Sequence, residues 1–93
     1  MSRLLDSEEI TRQLQDLPDW TQDGDRIVAD FSFADFGLAM VFVNRVAEIA
    51  EESNHHPDID IRWNKVHLVL TSHDAGGLTQ RDVELAHRIS SGE

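Results

Sequence analysis

The sequence predicts an α+β two-layer sandwich: a four-stranded antiparallel sheet with helices on one face, in the order α-β-β-α-β-β-α. Three observations predict it. Two runs of alternating hydrophobicity, around residues 27–33 and 66–72, each follow a shorter run across a tight-turn signal, which makes two hairpins. A long stretch over residues 35–53 switches to apolar residues three and four apart, the period of a helix. Helix-start signals, Asp6 with Glu9 and Thr79 with Asp82, open the first and last helices. With 93 residues, one domain spanning 1–93 is expected and two separate cores would not fit.

The first helix runs from about Ser7 to Leu17, with Ile10, Leu14 and Leu17 on one stripe and Pro18 as its stop. Trp20 lies in a short strand, Asp23-Gly24 signals a two-residue turn, and Ile27 to Phe33 forms the second strand with Ile27, Ala29, Phe31 and Phe33 on one face. The long helix covers about Asp35 to Ser53. Its core stripe is read as Phe36, Ala39, Met40, Val43, Val46, Ala47 and Ala50, with Phe42 and Ile49 outside it, either widening the core face or meeting another subunit. The third strand covers about Asp58 to Trp63, with Ile59, Ile61 and Trp63 pointing one way. A turn at Asn64-Lys65 leads to a fourth strand from Val66 to about Ser72, with Val66, Leu68 and Leu70 inward. Trp20 and Trp63 are read as core residues rather than ligand platforms, with a place near a subunit contact as the alternative for Trp63. Gly76-Gly77 breaks the strand, either as a tight turn or as an anion cradle. Thr79 caps a last helix that reaches about Ser90, with Val83, Leu85, Ala86 and Ile89 as its buried candidates. A small sheet covered on one side leaves edges and a face open, so a homodimer or homotetramer is expected.

Charge and composition narrow the function. Lys and Arg number 8 against 18 Asp and Glu, a formal net charge of −10, which disfavours nucleic acid and anionic membranes as partners. No cysteine is present, so disulfides, thiolate nucleophiles and thiolate metal sites are excluded. No apolar run approaches the roughly 20 residues of a membrane span, and the opening residues lack the apolar stretch of a signal peptide. A cytoplasmic location is the expectation.

Histidine is the informative residue type. His55 and His56 follow the long helix at its negative dipole end, which suits a proton-carrying imidazole. Glu51 precedes His55 by one helical turn. His55 and His73 each lie nine positions from Asn64, so a hairpin turning there returns His73 toward His55 and His56. Three imidazoles would then share one pocket. One could accept a proton while another donates one, which suits a dehydration. A zinc site with Asp58, Asp74 or Glu51 as fourth ligand is the other chemistry. Adjacent histidines rarely bind one ion, and neither an HExxH motif nor an i,i+4 His pair is present, so no metal is expected. A plain capping or surface role is the third reading. His67 and His87 are read as sheet-face and helix-surface residues.

The segments Glu51-Glu52-Ser53-Asn54-His55-His56-Pro57-Asp58, Trp63-Asn64-Lys65-Val66 and Thr71-Ser72-His73-Asp74-Ala75-Gly76-Gly77-Leu78-Thr79, with Asp82, resemble the pterin-4a-carbinolamine dehydratase family. Phe31-Ser32-Phe33-Ala34-Asp35-Phe36, Ala39, Phe42 and the Trp20 strand extend the resemblance to about Leu14–Ile89. It implies an α+β fold and dehydration of 4a-hydroxytetrahydropterin to quinonoid dihydropterin, in support of tetrahydropterin recycling, without a cofactor or metal, in a dimer or tetramer. By position, His55, His56 and His73 are then the catalytic residues. His55 and His73 move protons, and His56 positions the pterin. Glu51, Asn54, Thr71, Ser72 and Asp74 are implied as substrate-binding residues, with Asp82 supporting His73 from behind. Two positions depart from some relatives: Ile59 stands in place of Trp, and Ala75 in place of Cys. Neither change removes an acid or base. The alternatives are an enzyme acting on a different pterin, and a non-catalytic pterin-binding, oligomerisation or partner-stabilising module.

Overall fold

Helix α1 (Ser7–Leu14) starts at Asp6, whose carboxylate accepts the Glu9 N–H while Glu9 Oε1 accepts the Asp6 N–H. The computed structural model describes residues 3–92. The helix ends at Leu14 rather than Leu17. Beyond it the chain tightens into i→i+3 turns, with the Leu17 N–H on Leu14 O at 3.0 Å, and still buries Leu17.

Strands β1 (Trp20–Asp23) and β2 (Arg26–Ser32) form the first hairpin, with Asp23 opposite Arg26. The loop is Gly24-Asp25, one residue past the expected Asp23-Gly24. Gly24 has φ 63°, a conformation open to glycine at no steric cost, and so takes the first loop position.

Helix α2 (Phe36–Ser53) is capped by Asp35, whose side chain accepts the Leu38 N–H at 2.8 Å. Its core face differs from the expected stripe. Ala39, Phe42, Val43, Val46, Ile49 and Ala50 are buried, whereas Phe36 and Ala47 are exposed. The helix is apolar on more than one side, so periodicity alone does not choose the face. Phe42 decides it by stacking against Phe31 and Phe33, at centroid separations of 4.8 and 5.1 Å.

Strands β3 (Asp58–Arg62) and β4 (Lys65–Leu70) form the second hairpin, and α3 (Gln80–Ser91) closes the chain. Arg62 pairs with Lys65, so the turn is Trp63-Asn64 and not Asn64-Lys65. Trp63 adopts φ 53° in that turn and is 69% exposed, which takes it out of the core. Trp20 is buried as expected, and its indole N–H donates to Ser90 Oγ at 2.9 Å.

The four strands lie in the order β1-β2-β4-β3, all pairs antiparallel. One face carries Ile27 and Ala29 of β2 and Val66, Leu68 and Leu70 of β4, all buried against α2 and α3. From α3 the core receives Val83, Leu85, Ala86 and Ile89. Each fully buried Val, Leu or Ile contributes roughly 1.5–3 kcal/mol relative to exposure. The opposite face holds a cross-strand row, Asp30, His67 and Asp60, with His67 Nδ1 2.7 Å from Asp30 Oδ1. His67 is therefore a sheet-face residue, as expected.

Candidate active site

The C-terminus of α2 aims the first imidazole. Asn54 adopts the left-handed conformation, φ 50°. The Asn54 N–H reaches Glu51 O at 3.2 Å and the His55 N–H reaches Ala50 O at 3.1 Å. This is the paired-bond termination of a helix, and it reverses the chain within one residue. Asn54 itself is exposed. The reversal sends His55 inward against α3 and leaves His56 outside. Glu51 then meets His56, not His55: His56 Nε2 lies 2.5 Å from Glu51 Oε2, and both side chains are largely exposed. The expected one-turn neighbour relation between Glu51 and His55 fails because the helix has already ended at Ser53.

His55 is 8% exposed and Asp82 is 0% exposed. His55 Nε2 lies 2.5 Å from Asp82 Oδ1. The other carboxylate oxygen, Oδ2, accepts from Ser72 Oγ at 2.8 Å and from the Thr79 N–H at 2.9 Å. Ser72 and Thr79 hydroxyls are also 2.8 Å apart. Thr79 is the N-cap of α3 and Asp82 its third residue, so one carboxylate closes the capping box and holds an imidazole at once. A carboxylate offers only acceptors, so this contact keeps a proton on Nε2 and leaves Nδ1 as the nitrogen available for chemistry. Asp82 thus supports His55, not His73 as the sequence reading had it.

Ser72 is fully buried, with its hydroxyl committed to Asp82 and Thr79. Its side chain is thus part of the buried network that holds Asp82. His73 follows it at the start of a short loop. The Ser72 carbonyl accepts the N–H groups of Ala75, Gly76 and Gly77 at 3.0, 3.0 and 3.3 Å, and Ser72 bridges to Gly77. Gly76 has φ 81°. The double glycine therefore serves a tight turn.

Two depressions flank this loop. One, of about 500 Å³, is lined by Ser53 and His55 together with Arg81, Glu84, Leu85, His87 and Arg88 of α3. The other, of about 230 Å³, includes His73, Thr71, Asp58, Gly76 and Gly77 in its lining. Thr71 Oγ1 donates to Asp25 O at 2.7 Å there. The single pocket with three imidazoles is thus resolved into His55 on one side, His73 on the other, and His56 lining neither. The segment Ser72–Asp74 joins the two sides. Asp74 Oδ1 accepts from Arg81 Nη2 at 2.6 Å. The Asp74 carboxyl is held below its usual range, first by that hydrogen bond and further by the charge of the Arg81 guanidinium.

Arg81 and Arg88 have no counterpart among the sequence expectations, which place His87 on a helix surface. They recur on one side of the last helix, where charged residues ordinarily mark a solvated face. The available signal is the seven-residue spacing of Arg81 and Arg88, which places both on one side of the helix two turns apart.

This arrangement is that of an α+β protein with a carboxylate-oriented buried imidazole and, in a separate depression, a second, exposed imidazole on a short loop. The chain matches the family described as Pterin 4 alpha carbinolamine dehydratase over residues 3–91. It is 54% identical over 86 residues to a protein of Thermomicrobium roseum named "Putative pterin-4-alpha-carbinolamine dehydratase", covering 92% of each chain. A Nocardia farcinica protein of the same name is 52% identical over 88 residues, covering 95% of this chain and 93% of that one. Among solved structures, a transcriptional coactivator/pterin dehydratase from Brucella melitensis superimposes with TM-score 0.91 at 28% identity, over 96% of this chain and 97% of that one. A pterin dehydratase-like protein described as a RuBisCO assembly factor in the alpha-carboxysome shares the fold, with TM-score 0.67 at 21% identity over 78% of this chain and 87% of that one. The chain belongs to the pterin-4a-carbinolamine dehydratase family. Among the described residues, no helix is long and apolar enough to cross a membrane.

Proposed function

We propose that this chain dehydrates 4a-hydroxytetrahydropterin to quinonoid dihydropterin and water by histidine general acid–base catalysis. The observation that carries the reading is the His55–Asp82 contact, because it leaves a buried imidazole with one nitrogen committed and the other available. In the reaction the N5–H proton leaves the pterin, the N5–C4a double bond forms, and the C4a–O bond breaks as the hydroxyl takes up a proton and departs as water. His55 is the base, receiving the N5 proton at Nδ1 while Asp82 stabilises the imidazolium that results. His73, exposed on its loop, is the acid that protonates the departing hydroxyl. His56, paired with Glu51, positions the pterin ring, with Asn54 and Thr71 as further hydrogen-bonding groups. Proton exchange with solvent then returns His55 to its neutral form and recharges His73, and the step transfers no electrons to or from the pterin. The direct experiment is to follow decay of 4a-hydroxytetrahydropterin with the wild-type protein and with His55→Ala and His73→Ala. The reading expects catalysis by wild type and losses of about 10²–10⁴-fold in both variants.

A second reading rests on different residues. Phe36, Leu38 and Val41 of α2 are 51%, 50% and 66% exposed, an apolar group that the chain's own core does not cover. We read this group as the contact with a second copy, in a homodimer or homotetramer. The Brucella relative is described as a transcriptional coactivator as well as a pterin dehydratase. A partner-stabilising role for this chain would use the same apolar group and would leave the histidines dispensable.

A further inference from the structure

The loop that carries His73 is held at both of its flanks by one turn of α3. On the N-terminal flank, Ser72 Oγ donates to Asp82 Oδ2 at 2.8 Å. On the C-terminal flank, Asp74 Oδ1 accepts from Arg81 Nη2 at 2.6 Å. Arg81 and Asp82 are consecutive, and Asp82 also holds His55. One helical turn therefore ties down the mounts of both imidazoles.

We propose that Arg81 is a positioning residue: through Asp74 its guanidinium holds the His73 loop against the first turn of α3 and so sets where the His73 ring stands relative to that of His55. The proposal rests on the dehydratase reading above and deepens it. It also reassigns Asp74, expected from the sequence as a substrate ligand, to a structural partner of Arg81. The pair is well placed for this. Asp74 adjoins His73 in the chain, whereas Arg81 lines the depression that contains His55. The guanidinium meets Asp74 through Nη2, while its Nε is buried and makes no hydrogen bond. The two side chains are 34% and 63% exposed. Ion pairs this accessible add little to global stability. A purely structural role would accordingly leave little trace, and a positioning role would show in turnover.

The test compares Arg81→Ala, Asp74→Asn, the double variant and Arg81→Lys in the 4a-hydroxytetrahydropterin assay, with thermal melting as the check on folding. The expected result is a loss of about tenfold in kcat for each single variant, with KM little changed. The double variant should be no worse than either single one, because both act through one contact. Arg81→Lys should recover part of the loss, since it keeps the charge without the fork. Wild-type kcat in Arg81→Ala, or additive losses, would overturn the proposal. A rise in KM alone for Asp74→Asn would return Asp74 to the substrate. A readout independent of turnover keeps the proposal distinct from the dehydratase reading. In histidine-selective NMR, Arg81→Ala should shift or broaden the His73 ring resonance and leave that of the remote His67 in place. That result with an inactive wild type would sink the dehydratase reading but not the tether. An unmoved His73 resonance would sink the tether whatever the activity.

Discussion

His55 Nε2 stands 2.5 Å from Asp82 Oδ1, with the carboxylate fully withdrawn from solvent and the ring nearly so. The pair joins the end of α2 to the first turn of α3, and it gives the buried ring a defined orientation and a defined tautomer. Most of what can be tested about this protein follows from that contact.

Asp82→Asn keeps the shape of the side chain but presents either an amide N–H or a single weaker acceptor to the imidazole. The dehydration rate should fall by about 10²-fold or more, because the ring can then carry its proton on the wrong nitrogen. Rate measurements on protein shown to be folded by circular dichroism check this. A variant with wild-type turnover would separate Asp82 from the chemistry.

Ser72→Ala removes a hydroxyl with no solvent exposure that serves both Asp82 and Thr79. Leaving buried acceptors short of a donor costs about 1–3 kcal/mol. Urea unfolding should therefore show a lower midpoint with an unchanged slope. Ser72→Thr, which keeps the hydroxyl, should lose less if the added methyl is accommodated.

The capping boxes were legible in the sequence because their logic is local: Asp6 with Glu9 and Thr79 with Asp82 each satisfy backbone donors three residues away. The inward positions Val66, Leu68 and Leu70 were legible for the same reason, since a strand's period is independent of its neighbours. What remained hidden depended on packing. The choice between Phe36 and Phe42 on α2 rests on the rings of Phe31 and Phe33, which approach from another element. The turn at Trp63-Asn64 puts a tryptophan at positive φ, which residue type does not signal. Within the site, His55, His73 and Asp82 were each identified from the sequence. Their connections were not, because the left-handed Asn54 redirects His55 from Glu51 toward Asp82. Arg81 and Arg88 carry no motif of their own in the sequence, and only the fold brings them to the depression lined by His55.

The two depressed carboxyls give a pH prediction whose sign is fixed. Arg3, by a charge-assisted hydrogen bond, and the Asp6 N–H lower Glu9 to about 2. Arg81 likewise holds Asp74 below its usual 3.8. Groups lowered on folding stabilise the native state above their unfolded values and lose that contribution as pH falls through the folded ones. Both contacts should thus be intact at pH 5 and fail only in strong acid. Carboxyl-carbon NMR titration checks this: Arg3→Ala should return Glu9 toward its usual 4.5, and Arg81→Ala should return Asp74 toward 3.8. Unchanged midpoints would contradict the pairings.

The exposed apolar residues of α2 predict an effect on assembly. Val41→Glu places a charge at the most exposed of the three positions. Light scattering should then report a smaller species than wild type, with secondary structure retained. A monomeric wild type would remove the basis for the oligomer reading.

The most direct test of the central claim is the decay of 4a-hydroxytetrahydropterin, generated in situ and followed with wild-type protein and with His55→Ala. The account predicts rapid dehydration by wild type and a loss of about 10²–10⁴-fold in the variant. Equal rates in the two proteins, or no acceleration by wild type over buffer, would contradict it.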